Sequence, residues 1–403
     1  MTKKTWLLAL ATWMAGLEAK ATPAEPQGHR DHRVAVWAPS VTIGGPSFSN
    51  QTIRMVAHAS VGGSALRIHL SNLRSTTPLV VGGVTIAEQA TGGAAVAGSL
   101  RTVTVSHATS FTIPVGGELL SDSIPMSVAA DHNVLISLYL PQGTSSATWH
   151  SDAFEQTYLS SAGSGNHTND VDAGSYIGST TSWYYLSGLD VLAGVSGTVV
   201  AFGDSITDGY NTPASAYARW PDDLARRLAA DHPMGVVDAG IGGNRVLTDV
   251  PNIWQGISAL QRFPHDALSV PGVRDVILME GINDIGNDAG PNGAPLIAQD
   301  LIDGYRNLID QAHNAGVRII GGTMLPNRGN GYFTEAHEAL RQAANQWIRT
   351  SGAFDGVIDF DLAMQDPADP TVLRASYDSG DHLHPNAAGM QAMADAVDLG
   401  LLR

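Results

Sequence analysis

The amino-acid sequence predicts a multidomain chain, in which an all-β domain is followed by an α/β domain with a parallel sheet. The chain has 403 residues, whereas a single domain usually has roughly 100 to 200. Apolar and polar residues alternate up to about residue 192, and strand-like and helix-like segments alternate after residue 197. We therefore expect a β-sandwich over residues 30–195 and the α/β domain over residues 198–403.

The first 21 residues have the pattern of a secretory signal peptide. Lys3 and Lys4 precede the apolar run "TWLLALATWMAGLEA", and an A-x-A site ends at Ala21. The run is too short and too interrupted to span a bilayer, and no later segment reaches that length. We expect residues 1–21 to be removed and the protein to be secreted or periplasmic, without a membrane span.

The first predicted domain has the two-residue period of half-buried strands. The segment "ALRIHLS" sets Leu66, Ile68 and Leu70 against polar neighbours, and "NVLISLYL" continues the alternation over residues 133–140. Turns rich in Gly, Pro, Asn and Ser separate such runs. This pattern predicts an all-β sandwich of the jelly-roll type.

The second predicted domain alternates strands with helices. Helical patterns such as "EAHEALRQAANQWIRTSG" lie between strand-like runs. The runs are Thr198–Phe202, Val236–Ala239, Asp275–Met279, Val317–Thr323 and Val357–Phe360. This order is typical of a parallel sheet that is covered by helices on both faces, and such sheets bind ligands beyond the carboxyl ends of their strands.

The composition excludes several kinds of chemistry and partner. The formal net charge of −16 disfavours nucleic acid and anionic membrane surfaces, because both attract positive charge. All lysines of the chain (Lys3, Lys4 and Lys20) lie in the predicted signal peptide, so the mature chain has none for Schiff-base or Ser-Lys catalysis. The absence of cysteine excludes disulfides, thiolate nucleophiles and cysteine-bound zinc.

Four loops carry the residues that could do chemistry. The segments "GDSITDG", "DAGIGGNR" and "EGINDIG" follow the first three strands of the α/β domain, and "YDSGDHLHPNAAG" precedes the last helix. Because successive parallel strands point the same way, these loops should meet at one edge of the sheet. A hydroxyl, a glycine turn, a carboxamide and an Asp/His pair would converge there.

These side chains fit nucleophilic attack on an ester. Ser205 needs a base because a hydroxyl is a poor nucleophile at its free pKa, and His384 can take its proton. Asp381 lies three residues before His384 and can hold the imidazole by its other nitrogen. The backbone N–H of Ser205, a backbone N–H of Gly243 and the side-chain amide of Asn283 could stabilise the oxyanion.

The four loops resemble the sequence blocks of the SGNH hydrolases, also called the GDSL esterase family. The matching words, in order, are "GDSIT", "GIGGN", "GIND" and "DHLH". The resemblance covers the second predicted domain and implies a flavodoxin-like three-layer fold. It also implies that Ser205 is the nucleophile, that Gly243 and Asn283 are oxyanion donors, and that Asp381 and His384 complete the triad.

The sequence differs from the family pattern in the second block, and a further resemblance extends into the N-terminal half. Gly242 and Gly243 are adjacent, so either could be the donor, and Asp238 stands where many relatives have Asn. Thr207 stands in place of the second glycine of G-x-S-x-G, so the α/β-hydrolase elbow does not fit. The N-terminal half resembles the β-rich domain that precedes the catalytic domain in some secreted bacterial members, mainly in "ATWHSD" and "SWYYLSG".

The same residues could also have roles other than catalysis. Ser205 could cap the helix after its strand. Asp204 and Asp284 are expected to brace the loops in which they lie. The segment "DSGDHLH" could hold a metal ion, and its ligands would be Asp378, Asp381, His382 and His384.

Candidate substrate contacts flank the predicted cleft. Asp208 and Arg245 could touch substrate or form a surface salt bridge. Trp149 and His150, with the aromatic run Trp183, Tyr184 and Tyr185, could stack on a sugar or belong to the core of the sandwich.

Together these residues predict a secreted serine ester hydrolase that uses no cofactor and no metal. The expected substrates are short-chain carboxylic esters, either small molecules or O-acetyl groups on a polysaccharide, the latter by analogy with the family. A lysophospholipase, arylesterase or acyltransferase is the alternative within the same chemistry, and a non-catalytic carbohydrate-binding protein is the alternative of another class. No oligomeric state is predicted.

Overall fold

A computed structural model describes residues 32–249 and 253–403 of the chain. The predicted signal peptide, residues 1–21, lies outside the described residues. His32–Arg403 form one compact unit, in which a β-rich region ends at Leu192 and an α/β region begins at Thr198. The domain boundaries expected from the sequence stay a prediction.

The β-rich region is built from short antiparallel strands. Their bounds are β1 (Arg33–Trp37), β2 (Gln51–Ala59), β3 (Ser64–Ser71), β4 (Leu79–Val81), β5 (Gly83–Thr91), β6 (Ala94–Ala95), β7 (Arg101–Val103), β8 (Phe111–Ile113), β9 (Glu118–Leu120), β10 (His132–Leu140), β11 (Trp149–His150), β12 (Thr157–Ser160), β13 (Tyr176–Thr180), β14 (Trp183–Tyr184) and β15 (Leu186–Leu192). One sheet has the order β1-β15-β3-β9, and the larger one has the order β13-β12-β2-β10-β5-β6 with β7 beside β5. Strands β4 and β8 form a separate pair, as do β11 and β14.

The two larger sheets share one apolar core. Ile68 and Leu70 of β3 and Val134, Ile136 and Leu138 of β10 all lie in it, fully buried. Their spacing of two residues turns each of them to the same face of its strand, as the sequence predicts. The packing is that of a β-sandwich, whereas the jelly-roll connectivity stays a prediction.

The α/β region contains a parallel sheet of five strands in the described residues. They are β16 (Thr198–Gly203), β17 (Gly235–Gly240), β18 (Val273–Met279), β19 (Arg318–Gly322) and β20 (Gly356–Ile358). Their order is β17-β16-β18-β19-β20. The prediction of a parallel α/β sheet is therefore confirmed, and the reversal of strand order beside β16 marks the edge at which such folds bind ligands.

Helices connect and cover these strands. They are α1 (Ser205–Asp208), α2 (Trp220–Asp231), α3 (Ala259–Phe263), α4 (Ile282–Gly286), α5 (Ala298–Asn314), α6 (Glu335–Thr350), α7 (Phe360–Met364) and α8 (Ala387–Ala396). A π-helical turn, Pro264–Leu268, continues α3, and the segments Ile253–Gln255, Pro291–Gly293 and Leu399–Leu401 are 3₁₀ turns. In the part of the chain that is described, no helix is both long and apolar enough to cross a membrane.

Side-chain caps fix where several helices begin. The Thr334 hydroxyl accepts a hydrogen bond from the backbone N–H of His337 at the start of α6. Asn386 does the same for Gly389 at the start of α8. Each cap satisfies an N–H that has no partner within its own helix.

The β-rich and α/β regions are joined through β1 and β17. The Ala35 N–H donates to the Pro271 carbonyl (2.9 Å), and the Val236 N–H donates to the Ser60 hydroxyl (3.0 Å). The surface along which the two regions meet is called the seam. Gly235 is buried there, and a Cβ atom placed on it would overlap the Ala35 carbonyl oxygen. The close approach of the two backbones therefore requires glycine at this position.

Substituting Gly235→Ala should lower the free energy of unfolding by about 1–3 kcal/mol, because the added methyl group overpacks the seam. Urea denaturation followed by circular dichroism measures the change. Gly143→Ala is the matched control, since Gly143 is exposed and has nothing within 4 Å of a Cβ atom. Equal effects of the two substitutions would contradict this account of the seam.

Candidate active site

Ser205 stands at the carboxyl end of β16, the strand next to the reversal of strand order. The strand ends at Gly203, where a Cβ atom would overlap the Met279 carbonyl oxygen, and the chain turns directly into α1. Asp204 caps α1 by accepting the Ile206 N–H (3.0 Å). The cap is thus provided by Asp204, which leaves the hydroxyl of Ser205 for another partner.

The structure brings Ser205, His384 and Asp381 into one chain of hydrogen bonds. Ser205 Oγ lies 2.8 Å from His384 Nε2, and His384 Nδ1 lies 2.6 Å from Asp381 Oδ2. The other carboxylate oxygen, Oδ1, accepts the backbone N–H groups of Leu383 (3.0 Å) and His384 (2.8 Å). Asp381 is therefore held in place by the turn that carries the histidine.

The electrostatics suit a neutral imidazole that accepts a proton. Burial lowers the pKa of His384 below its ordinary 6.5, although the Asp381 carboxylate acts in the opposite direction. Burial alone would raise the pKa of Asp381, but hydrogen bonds from His384 and Leu383 outweigh it and hold that pKa below 3.8. At neutral pH the site therefore pairs a carboxylate with an uncharged base.

A glycine turn lies beside the serine and offers unbonded N–H groups. The Asn244 N–H closes the turn on the Ile241 carbonyl (3.1 Å), and Gly243 has a φ of +75°. Within the described residues, the backbone N–H groups of Ser205, Gly242 and Gly243 donate to no protein acceptor. Both glycines are thus available as oxyanion donors, in keeping with the alternatives that the sequence left open.

Asn283 reaches the same turn from α4. Its side-chain amide donates to the Asn244 carbonyl (2.9 Å), and its Oδ1 accepts from the Tyr332 hydroxyl (3.3 Å). One amide hydrogen of Asn283 is therefore still available to a ligand. The neighbouring Asp284 accepts the N–H groups of Val246 (2.8 Å) and Leu247 (3.0 Å) and so fastens the end of the turn.

A buried arginine that the sequence analysis missed ties these loops together. Arg262 of α3 donates to the carbonyls of Gly203 and Ala239 (2.8 Å each) and to the Asn244 side chain (2.7 Å). Its guanidinium lies 3.8 Å from the ring centre of Phe202. The first two strand ends and the glycine turn are therefore bonded to one side chain that is 1% exposed.

The sequence profile of the GDSL-like lipase/acylhydrolase family matches residues 201–392, which include Ser205, the glycine turn, Asn283 and the Asp381–His384 pair. The α/β region is a GDSL-like lipase/acylhydrolase domain. The GDSL-like domain places the protein among the carboxylic ester hydrolases, as the resemblance in the sequence implies. Among curated proteins, none matches the chain in sequence.

Solved structures with a similar fold include three bacterial proteins. A member of the lipolytic protein G-D-S-L family from Veillonella parvula is 23% identical over 49% of this chain and 94% of its own, with a TM-score of 0.37. The carbohydrate acetylesterase Est24 from Sinorhizobium meliloti is 17% identical over 49% and 95%, with a TM-score of 0.38. A variant of Axe2, an acetyl-xylooligosaccharide esterase from Geobacillus stearmophilus, is 20% identical over 51% and 93%, with a TM-score of 0.39.

Acidic side chains lie beneath the reactive edge of the GDSL-like domain. Burial raises the pKa of Asp204 and of Asp284 to about 7 and that of Glu280 to about 8. The Arg262 guanidinium, 3.5 Å from Glu280, opposes this rise for Glu280 and for Asp204. These carboxyl groups are thus partly protonated near neutral pH, which limits their mutual repulsion.

Two of the predicted substrate contacts are buried and bonded to each other. His150 Nε2 lies 3.0 Å from Asp208 Oδ1, and both residues are at most 3% exposed. Their burial and mutual hydrogen bond favour a structural role, and contact with substrate stays a prediction for both.

The other expected contacts lie outside the hydrogen-bonded centre. Trp149 donates to the Ile43 carbonyl (3.0 Å) and stacks near Tyr184 within the β-rich region. Tyr184, Trp183 and Tyr185 are buried in the sandwich core, which fits the structural interpretation of this aromatic run. Arg245 lies half-buried beside the glycine turn, 3.5 Å from the Thr248 hydroxyl.

The residues of the alternative metal cluster form two separate pairs. His382 Nδ1 bonds to Asp378 Oδ2 (2.6 Å), whereas His384 bonds to Asp381. In residues 32–249 and 253–403 no group of three such side chains is arranged to hold a metal ion.

The pH dependence of ester hydrolysis tests the roles of Asp381 and His384. The kcat/KM of the unmodified protein should rise with pH and reach half its maximum below pH 6.5, because only the neutral imidazole accepts a proton. Asp381→Asn should lower kcat/KM by about 10²- to 10⁴-fold and move the midpoint to still lower pH, since the carboxylate that raises the pKa of His384 is lost. Asp378→Asn, next to the other histidine, is the control. A midpoint that stays in place or rises in Asp381→Asn would exclude this electrostatic coupling.

Proposed function

We propose that the protein is a secreted serine esterase that removes short acyl groups, with O-acetyl groups on carbohydrate as its substrate class. The observation that carries the proposal is the hydrogen-bonded chain from Asp381 through His384 to Ser205, beside backbone N–H groups that have no acceptor among the described residues. A nucleophile, its base and an anion pocket are the parts that acyl transfer requires.

The first half of the reaction forms an acyl-enzyme. Ser205 Oγ bonds to the ester carbonyl carbon while His384 Nε2 takes the hydroxyl proton. The negative charge that develops on the carbonyl oxygen is held by the N–H of Ser205, a glycine N–H of the turn and the Asn283 amide. When the bond between carbon and the alcohol oxygen breaks, His384 returns the proton to the departing alcohol.

The second half releases the acid and restores the enzyme. His384 takes a proton from water, whose oxygen bonds to the acyl carbon. The bond to Ser205 Oγ then breaks, and the serine regains its proton from the imidazolium. Asp381 keeps its charge throughout and stabilises the imidazolium, which is why its low pKa supports the role.

Two exposed asparagines lie beside the site, and such side chains favour a hydrophilic substrate. Asn211 is exposed and donates to Ser379 and to Asp381 (3.0 Å each). Asn287, also exposed, donates to the Tyr332 hydroxyl (3.3 Å), which in turn donates to Asn283. Hydroxyl-rich alcohols offer partners to such side chains, whereas a long acyl chain would cover them without hydrogen bonds.

Hydrolysis assays with purified protein test this proposal. Ser205→Ala should lower the turnover of p-nitrophenyl acetate by about 10³-fold or more, because the hydroxyl that His384 activates is lost. Ser161→Ala, at an exposed position of the β-rich region, is the matched control and should stay at the unmodified rate. An organophosphonate should label the unmodified protein once, at Ser205, as read by mass spectrometry.

The substrate class is tested separately. Turnover should fall as the acyl chain lengthens from acetate to palmitate, and acetylated xylan should release acetate. Equal rates for the unmodified protein and Ser205→Ala would remove this serine from the mechanism. A preference for palmitate or for a lysophospholipid would replace the carbohydrate assignment by the lipid one.

A further inference from the structure

Strand β11 and the segment after it, together called the 149–155 loop, bring part of the β-rich region beside the active site. Its Phe154 ring lies edge-on to Tyr210 (6.1 Å between ring centres), and Tyr210 lies 4.6 Å from the His384 ring. Its His150 bonds to Asp208, three residues after the nucleophile. The loop therefore contacts both the helix that carries Ser205 and the ring that covers the catalytic histidine.

The same loop brings Asp152 against the glycine turn. A Cβ atom placed on Gly242 would lie 3.2 Å from Asp152 Oδ2, so the carboxylate lies beside the backbone from which an oxyanion donor comes. The side chain is only half-buried. Asp152 is therefore within reach of a substrate that bonds to this turn.

Asp152 lacks the structural bonds that occupy the neighbouring carboxylates. Both oxygens of Asp284 accept backbone N–H groups, and Asp208 is paired with His150. Asp152 accepts one hydrogen bond, from the adjacent Ser151 hydroxyl to Oδ2 (3.1 Å), and within the described residues no arginine or histidine lies in ion-pair distance of it. Its Oδ1 is free to accept a hydrogen bond from a ligand.

We propose that Asp152 contacts the substrate and selects esters that carry a hydrogen-bond donor or a positive charge near the reacting carbonyl, while it disfavours anionic esters. The inference rests on the proposed function only in requiring that the GDSL-like domain hydrolyses esters at Ser205. An ionised carboxylate accepts hydrogen bonds but cannot donate them. It therefore binds hydroxyl and ammonium groups and repels other carboxylates. It would give the β-rich region a direct part in substrate choice.

The electrostatics around Asp152 agree with an unpaired carboxylate. Burial raises the pKa of Asp152, and the nearby Asp208 charge raises it further, against the opposing effect of His150. A cation or a hydroxyl from a substrate would supply a partner that the described residues do not. Because the pKa of Asp152 is raised, the assays are run at alkaline pH, which favours the carboxylate.

The test compares acetate esters of phenols that differ only in the para group. Phenyl acetate is the neutral reference, 4-acetoxybenzoate is the anion, 4-acetoxyphenyl trimethylammonium is the cation, and 4-(hydroxymethyl)phenyl acetate carries the donor. For each ester the kcat/KM of a variant is divided by that of the unmodified protein, which cancels the intrinsic reactivity of the ester.

Asp152→Asn should raise this ratio about fivefold for the anion and lower it about fivefold for the cation, relative to phenyl acetate, because the charge is lost at short range. Asp152→Ala should in addition lower the ratio for the hydroxymethyl ester, since the acceptor is lost too. Asp303→Asn, which removes an exposed charge on α5, should leave all four ratios equal.

Ratios that stay equal across the four esters, or that change in parallel for the anion and the cation, would overturn the proposal. Phenyl acetate serves as the folding reference, and titration of Ser205 with an organophosphonate gives the concentration of active sites in each variant. If the unmodified protein releases no acetate from acetylated xylan but the Asp152 variants change the charge preference as expected, the carbohydrate substrate is rejected and Asp152 remains a substrate contact. Full activity of Ser205→Ala would instead reject the proposed function itself.

Discussion

The guanidinium of Arg262 lies beneath the reactive edge of the sheet, where it donates to the carbonyls of Gly203 and Ala239 and to the side chain of Asn244. These three groups lie at the end of the strand before the nucleophile, near the end of the neighbouring strand and on the last residue of the glycine turn. A buried guanidinium is tolerated only when its donors are bonded, so the positions of its acceptors are linked. The relative placement of Ser205 and its anion pocket depends on this linkage.

The β-rich region is bonded to the GDSL-like domain close to the catalytic serine. Burial acts to lower the pKa of His150, but the Asp208 carboxylate outweighs it and raises that pKa to about 9. The charged imidazole then joins the loop that carries Asp152 to the helix that begins at Ser205. Because the ion pair is buried, removing one partner would leave an uncompensated charge at the seam. The loop is therefore fixed against the catalytic edge.

The sequence predicts the parallel sheet and the convergence of Ser205, Asn283 and His384 because both follow from local patterns. Strand periodicity locates the strand ends, and parallel strands bring their loops together. The role of Arg262 has no such local signal: in "ISALQRF" it resembles any arginine on a short helix, and only the tertiary fold buries it. Asp152 lies in another region of the chain, and a two-residue period does not tell where a loop between strands docks. For the same reason the sequence does not reveal that His150 lies buried against Asp208.

The central claim is that Arg262 positions the catalytic loops and does more than stabilise the fold. Arg341 offers a matched comparison, because it is equally buried but bonds to Glu338 and Asp361 in and beside α6. The decisive measurement is kcat/KM for p-nitrophenyl acetate per folded molecule in Arg262→Met and in Arg341→Met. We expect a loss of about 10²-fold in Arg262→Met, the usual effect of a small misplacement of catalytic groups, and near-normal activity in Arg341→Met. Equal activity per folded molecule in the two variants would contradict the claim.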